Sequence, residues 1–170
     1  MTARKSILNI ADVELEAFPV PATLADRFEA RLGELGGPLG SRQLGYMLTV
    51  VPPGKRAFPY HSHRVNEEMF FVIEGEGELR FGSERHPIRA GDVIACPAGG
   101  PEVAHQIVNT GTRELKYLGV STMLSPEVVE YPDSRKFGVR AEIGPDADGR
   151  AQRFRFNGRP DSGLDYWDGE

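Results

Sequence analysis

From Arg42 onward, apolar and polar positions follow a period of two. Leu44, Tyr46, Leu48 and Val50 alternate with Gln43, Gly45, Met47 and Thr49 up to the stop at Pro52-Pro53-Gly54. A period of two sends successive side chains to opposite faces of a β-strand. Glu68 to Ile73 leads into Gly75-Glu76-Gly77, and Leu79-Arg80-Phe81 into Gly82-Ser83. Ile88 precedes the turn Ala90-Gly91-Asp92, and Val93-Ile94-Ala95-Cys96 stops at Pro97. Val103 to Asn109 and Leu115 to Met123 supply two more strands around Thr110-Gly111-Thr112. Short strands punctuated by Gly and Pro predict an antiparallel sandwich or barrel.

The flanks are less regular. In residues 1–40, Leu24, Phe28, Leu32 and Leu35 approach helical spacing, yet Phe28-Glu29-Ala30-Arg31-Leu32 half fits a strand. Gly33, Gly36, Gly37 and Gly40 interrupt either element, so this arm stays ambiguous. Beyond Tyr131-Pro132-Asp133-Ser134 the chain reads as a polar, irregular tail, but it ends in Tyr166-Trp167, with the sole Trp. A tail without packing partners seldom carries such a residue, so it is expected to dock on the barrel or on a partner subunit. The expected organisation is one domain: an arm (1–40), a barrel core (41–125) and a C-terminal extension (126–170).

Composition narrows the function classes. The 170 residues fit one domain, and 20 Gly with 13 Pro favour a β-rich fold over a helical bundle. A formal charge of −5 without a basic cluster argues against a nucleic-acid partner. No apolar run reaches membrane-spanning length. Met1-Thr2-Ala3-Arg4-Lys5 is charged, but Ile7-Leu8-Asn9-Ile10-Ala11-Asp12 breaks off too early for a signal peptide. The single cysteine, Cys96, cannot form an internal disulfide, and a cytoplasmic location is expected.

Candidate chemistry sits in the strands. Three of the four histidines fall in the pattern His61-Ser62-His63, Glu68, His105. His61 and His63, two apart, share a strand face. Imidazole and carboxylate together suit a divalent first-row metal. If Glu68 points inward, Phe70 and Val72 join it, while Met69, Phe71 and Ile73 point out and need a second sheet or a dimer interface to cover them. That parity favours Glu68 over Glu67. If His105 points inward, so do Val103 and Ile107, and Gln106 faces out, as does Arg80 on its own strand. Tyr46, Phe70, Val72, Val103 and Ile107 are therefore the expected pocket lining, Tyr46 more as a core residue than as a catalytic acid. Phosphate would need convergent Arg or Lys in the lumen. No strand position near the ligands offers one clearly, and Lys55, Arg56 and Arg64 lie in loops. Asn109 reads as a turn cap, Cys96 as a packed thiol, and His86 as a surface residue in the turn-like Glu84-Arg85-His86-Pro87.

The stretch Gly54 to Gly75 resembles the first motif of the cupins: Gly, a spacer, His61-x-His63, four residues, Glu68, six residues, Gly75. Gly91 through Asn109 resembles the second: Gly91, five residues, Pro97-x-Gly99, then His105, three residues, Asn109. One departure is the five-residue spacer Gly100-Pro101-Glu102-Val103-Ala104 where two are usual, an insertion expected at the mouth of the lumen. The likeness covers roughly residues 44–123, and the flanks look like a bacterial single-domain subgroup sometimes labelled sugar-phosphate isomerase. It implies an all-β double-stranded β-helix, or jelly-roll barrel. It also implies one divalent metal per chain held by His61, His63, Glu68 and His105, and frequent homodimers. Fe, Mn or Ni suits such a site best, and Zn also fits. The expected function is a metal-dependent enzyme acting on a small polar molecule. The alternatives are a non-catalytic ligand sensor and a sugar-phosphate isomerase-like enzyme.

Overall fold

The alternation from Leu44 to Val51 does form one strand, and it lies near the middle of a larger sheet. The computed structural model of the chain describes residues 6–146, 148 and 151–170; the charged start, Met1 to Lys5, lies outside the described residues. In chain order the strands are β1 (Glu16–Ala17), β2 (Arg31–Glu34), β3 (Leu44–Val51), β4 (Ser62–His63), β5 (Glu68–Glu74), β6 (Glu76–Phe81) and β7 (Glu84–Arg89). They continue as β8 (Val93–Cys96), β9 (His105–Val108), β10 (Leu115–Thr122), β11 (Glu127–Tyr131), β12 (Lys136–Pro145) and β13 (Ala151–Gly158). One sheet runs β1-β2-β3-β10-β5-β8, a second β13-β12-β11-β4, and a third β7-β6-β9. A backbone bridge between His61 and His105 joins the last two into one layer. The result is an all-β jelly roll, a double-stranded β-helix.

Register decides which side chains fill it. Glu68, Phe70 and Val72 are Cα partners of Ser121, Gly119 and Tyr117, which in turn face Gly45, Met47 and Thr49. This inner face packs Phe70, Val72 and Tyr117 with Ile94, Cys96, Leu79, Ile107 and Leu115 into the core. Each fully buried side chain of this size contributes about 1.5–3 kcal/mol. Gly119 matters by what it lacks: a Cβ there would press on the Phe70 ring at 3.3 Å. Gly75 turns β5 into β6 at φ +86°, with the Glu114 carbonyl where a side chain would go.

Several expectations change. The arm, left open between helix and strand, supplies β2, which pairs with β3 and extends the six-stranded sheet. The C-terminal region is not irregular: β11 pairs with β4, and β12 with β13 forms a long hairpin beyond it. Its polarity misled because a half-exposed hairpin keeps one polar face. His86 is exposed, as expected, but lies in β7 rather than in a turn. The Tyr166 and Trp167 rings pack on each other with centroids 4.9 Å apart. They stay 85% and 72% exposed, so the barrel of this chain does not receive them. On the outer face Leu48 and Val50 are buried near the arm, yet Phe71 (38%) and Val93 (69%) remain exposed, so among the described residues no second sheet covers them.

Candidate metal centre

Four expected ligands reach one place from three segments. His61 stands at the β-bridge, His63 in β4, Glu68 at the start of β5 and His105 at the start of β9. Glu68 Oε2 lies 2.9 Å from His105 Nε2, 3.4 Å from His63 Nε2 and 3.7 Å from His61 Nε2. All three imidazoles thus aim Nε2 at a single carboxylate oxygen. His61, Glu68 and His105 place one ligand atom each within 4.8 Å of one another. His63 falls outside that tightest group and meets it through Glu68.

The other ring nitrogens explain the orientation. His61 Nδ1 donates to the Pro59 carbonyl at 2.8 Å, and His105 Nδ1 lies 3.4 Å from the Val103 carbonyl. A proton on Nδ1 leaves Nε2 with a lone pair for a metal. His63 Nδ1 faces Glu127 Oε2 at 3.5 Å. Neither contact has hydrogen-bond geometry, so both His63 nitrogens are buried without a hydrogen-bond partner. Buried nitrogens left unpaired are costly, and coordination of a cation would satisfy the inner one. The donor set therefore fits a divalent ion.

Electrostatics agree. Burial raises the Glu68 carboxyl, but the imidazoles of His105, His61 and His63 gathered at its Oε2 outweigh it and hold the group well below the ordinary carboxylate range. Burial pushes His61 down despite Glu68. Burial also works against protonated His63, but Glu68 and Glu127 beside it win and hold it up.

Glu127 escaped the sequence reading. It is buried on β11 and accepts the backbone N–H groups of Arg64, Val65 and Asn66 at 2.9–3.2 Å. It thereby locks the loop between His63 and Glu68. Its alternation with Val129 and Tyr131 marks a strand face, but nothing local says that this face meets residues 63–66.

The expected lining fares unevenly. Phe70 stands behind the ligands, its ring 5.8 Å from that of His105, with Val72 and Ile107 deeper in the core. Tyr46 does not belong: it is the partner of Val120, itself the partner of Met69, so it lies on the outer face. Val103 does not share a strand face with His105, because Pro101–Val103 forms a 3-10 turn before β9. The five-residue insertion carries that turn and lies beside Arg64 and Gly82, outside the cleft lining. Gln106 is on the outer side as expected, but it is buried and bonds the Phe58 carbonyl.

A cleft of about 260 Å³ opens beside His63 and Glu68, walled by Ser121, Thr122 and Glu142 and by Arg140, Arg153 and Arg155. These arginines overturn the expectation that no basic side chains converge near the ligands. They sit in the region read as an irregular tail.

Comparison with known proteins agrees with this geometry. The cupin domain model matches residues 47–121. A solved sugar phosphate isomerase of the cupin superfamily from Silicibacter pomeroyi is 28% identical, with a TM-score of 0.74 over 92% of this chain and 94% of that one. A structure from Acidithiobacillus ferrooxidans is also 28% identical, with a TM-score of 0.70 over 89% of this chain and 92% of that one. The oxalate-binding protein of Thermotoga maritima is 34% identical over 44% of this chain and 58% of its own length. The chain spans little more than half the length of the first curated relatives it matches. With its two motifs, its jelly roll, the family match over residues 47–121 and these relatives, the chain carries a cupin domain.

Proposed function

We propose that this cupin is a metal-dependent enzyme acting on a small polar organic molecule, with one divalent ion held by His61, His63, Glu68 and His105. The observation that carries this reading is the aim of three Nε2 atoms at one Glu68 oxygen. A bound ion of this kind supplies Lewis-acid polarisation of a carbonyl, enediol or carboxylate oxygen. The chain does the rest. Glu68 stays ionised among its imidazoles, and the Pro59 and Val103 carbonyls keep two rings turned inward. Phe70 closes the floor against water. Ser121, the cross-strand partner of Glu68, sets a hydroxyl at the mouth, and the cleft beyond takes the substrate.

The likeness to the Silicibacter pomeroyi isomerase supports isomerase-type chemistry within this reading. The exposed outer residues Phe71 and Val93 support a homodimer across that sheet. Among the described residues no helix is long and apolar enough to cross a membrane.

Metal analysis of the purified protein tests the proposal. About one divalent ion per chain is expected, as one such site requires. The double substitution His61→Ala with His105→Ala should empty it, and an unchanged metal content would overturn the reading. Metal-dependent turnover of a carbonyl or enediol substrate separates an enzyme from a ligand sensor, which would bind without turnover.

A further inference from the structure

The hairpin of β12 and β13 raises a question that the ligand set does not answer. Arg140 and Arg155 are direct Cα partners on the two strands, so their side chains leave the same face side by side. Like charges directly opposite each other on a sheet destabilise it. Arg153, two residues before Arg155, shares that face, and all three line the cleft that reaches His63 and Glu68.

Neighbouring carboxylates do not relieve the repulsion. Glu127 is the cross-strand partner of Arg140, but its oxygens are taken by the backbone of residues 64–66 and by Asn66. Glu142 faces Arg153 across the strands, yet among the described residues no ion pair joins them, nor any carboxylate to Arg140 or Arg155. Arg140 reaches only the Tyr131 hydroxyl, at 3.4 Å. Elsewhere on the barrel Arg64 and Arg80 each hold an acid, Glu130 and Asp133. Three exposed guanidiniums with no carboxylate partner among the described residues thus gather at one wall of the cleft.

Register places that wall relative to the ligands. His63 pairs with Val129 on β11, and β11 pairs with β12, so one continuous sheet face runs from His63 to Arg140 and on to Arg155. Two strand spacings, about 10 Å, separate the backbones of β4 and β12. A small molecule with a polar group at one end and an oxyanion at the other spans that gap.

We propose that Arg140, Arg153 and Arg155 form an oxyanion subsite that grips the phosphate or carboxylate of the substrate while its other end lies at His63 and Glu68. Arginine forks match both groups, and three positive charges favour a phosphate dianion. The subsite rests on the reading of the cleft as a substrate site, but not on a metal being bound there.

Titration of the full-length protein with inorganic phosphate, and separately with acetate, followed by NMR of the arginine Nε–H groups, tests it. Saturable shifts at Arg140 and Arg155 are expected with phosphate. Affinity should fall at least about tenfold in Arg155→Gln and further in Arg140→Gln/Arg155→Gln, each losing a charge-assisted fork. Acetate binding as tightly as phosphate would assign the subsite to carboxylates. Phosphate binding that persists unchanged in both variants is an adventitious ion only, and overturns the proposal, as does the absence of saturable binding. Arg155→Gln should melt no lower than the parent, because it relieves repulsion; a clear fall would make the arginines structural. Metal content measured on the same samples separates the two readings. A parent protein that holds metal but binds no phosphate condemns the subsite, whereas phosphate binding to a parent without metal condemns only the metal proposal.

Discussion

Glu127 Oε2 lies 3.5 Å from His63 Nδ1, on the side of the ring turned away from Glu68. The imidazole is thus held between two carboxylates, one inside the cleft and one behind it. The rear carboxylate also receives three consecutive backbone N–H groups, so one side chain fixes both the ring and the loop that carries it.

Glu127→Gln should therefore weaken divalent-metal binding by about 10–100-fold, the range for losing a partner that orients a ligand. Competition with a chelating indicator measures it. Affinity equal to that of the parent would show that Glu127 serves the loop alone.

Stability of the metal-free protein should fall on acidification. The Glu68 pKa is depressed in the fold, so its contribution is present above the ordinary carboxylate value of about 4.3 and is lost as pH falls through the folded value. His61, also depressed, begins to lose its contribution below about pH 6.5. His63 has the opposite sign: its raised pKa stabilises below about 6.5, and that contribution is lost as pH rises through the folded value. Melting curves between about pH 5 and 2 should fall less steeply for Glu68→Gln than for the parent. Parallel curves would refute the assignment.

Burial pushes the Cys96 thiol up to about 12. At pH 8.5 native Cys96 should react with iodoacetamide roughly a thousandfold or more slower than an unfolded thiol. Because the fold holds this proton more tightly than the unfolded chain does, its contribution is lost as pH rises above about 9. Fast labelling of the native protein would place Cys96 in an open, mobile part of the sheet.

Asn109 is fully buried and ties three backbone groups together. Its Nδ2 donates to the carbonyls of Val51 and Arg113, and its Oδ1 accepts from Gly111 N. Asn109→Ala should cost about 2–3 kcal/mol, since it leaves buried carbonyls unsatisfied. Urea unfolding measures the loss; a change below about 0.5 kcal/mol, typical of a surface site, would contradict the bonding.

Phe71→Glu puts a charge in the exposed outer face beside Val93. If a dimer buries that face, light scattering should find the variant as a monomer with its metal content unchanged. A parent that is monomeric at micromolar concentration would remove the dimer from the proposal.

The candidate ligands were legible because strand chemistry is local. A period of two fixes which side chains share a face, so Glu68 could be chosen over Glu67 from Phe70 and Val72 alone. Spacing then tied His61, His63 and His105 to the cupin motifs. Tyr46 and Val103 went wrong where that logic needs a partner. The face of β3 relative to β5 is set by their register through β10, and the strand parity of Val103 ends at a turn that alternation does not announce.

By itself the sequence determined most of the strands and turns between Leu44 and Met123 and four candidate ligands, because these depend on neighbours a few residues apart. Only the tertiary structure decided that Glu127 stands behind His63 and that Arg140 and Arg155 face the same cleft. Those relationships depend on the pairing of β11 with β4 and of β12 with β13. Such pairings join residues more than sixty apart or cross a polar hairpin, and a hydrophobic pattern carries no mark of which backbone will supply the hydrogen bonds.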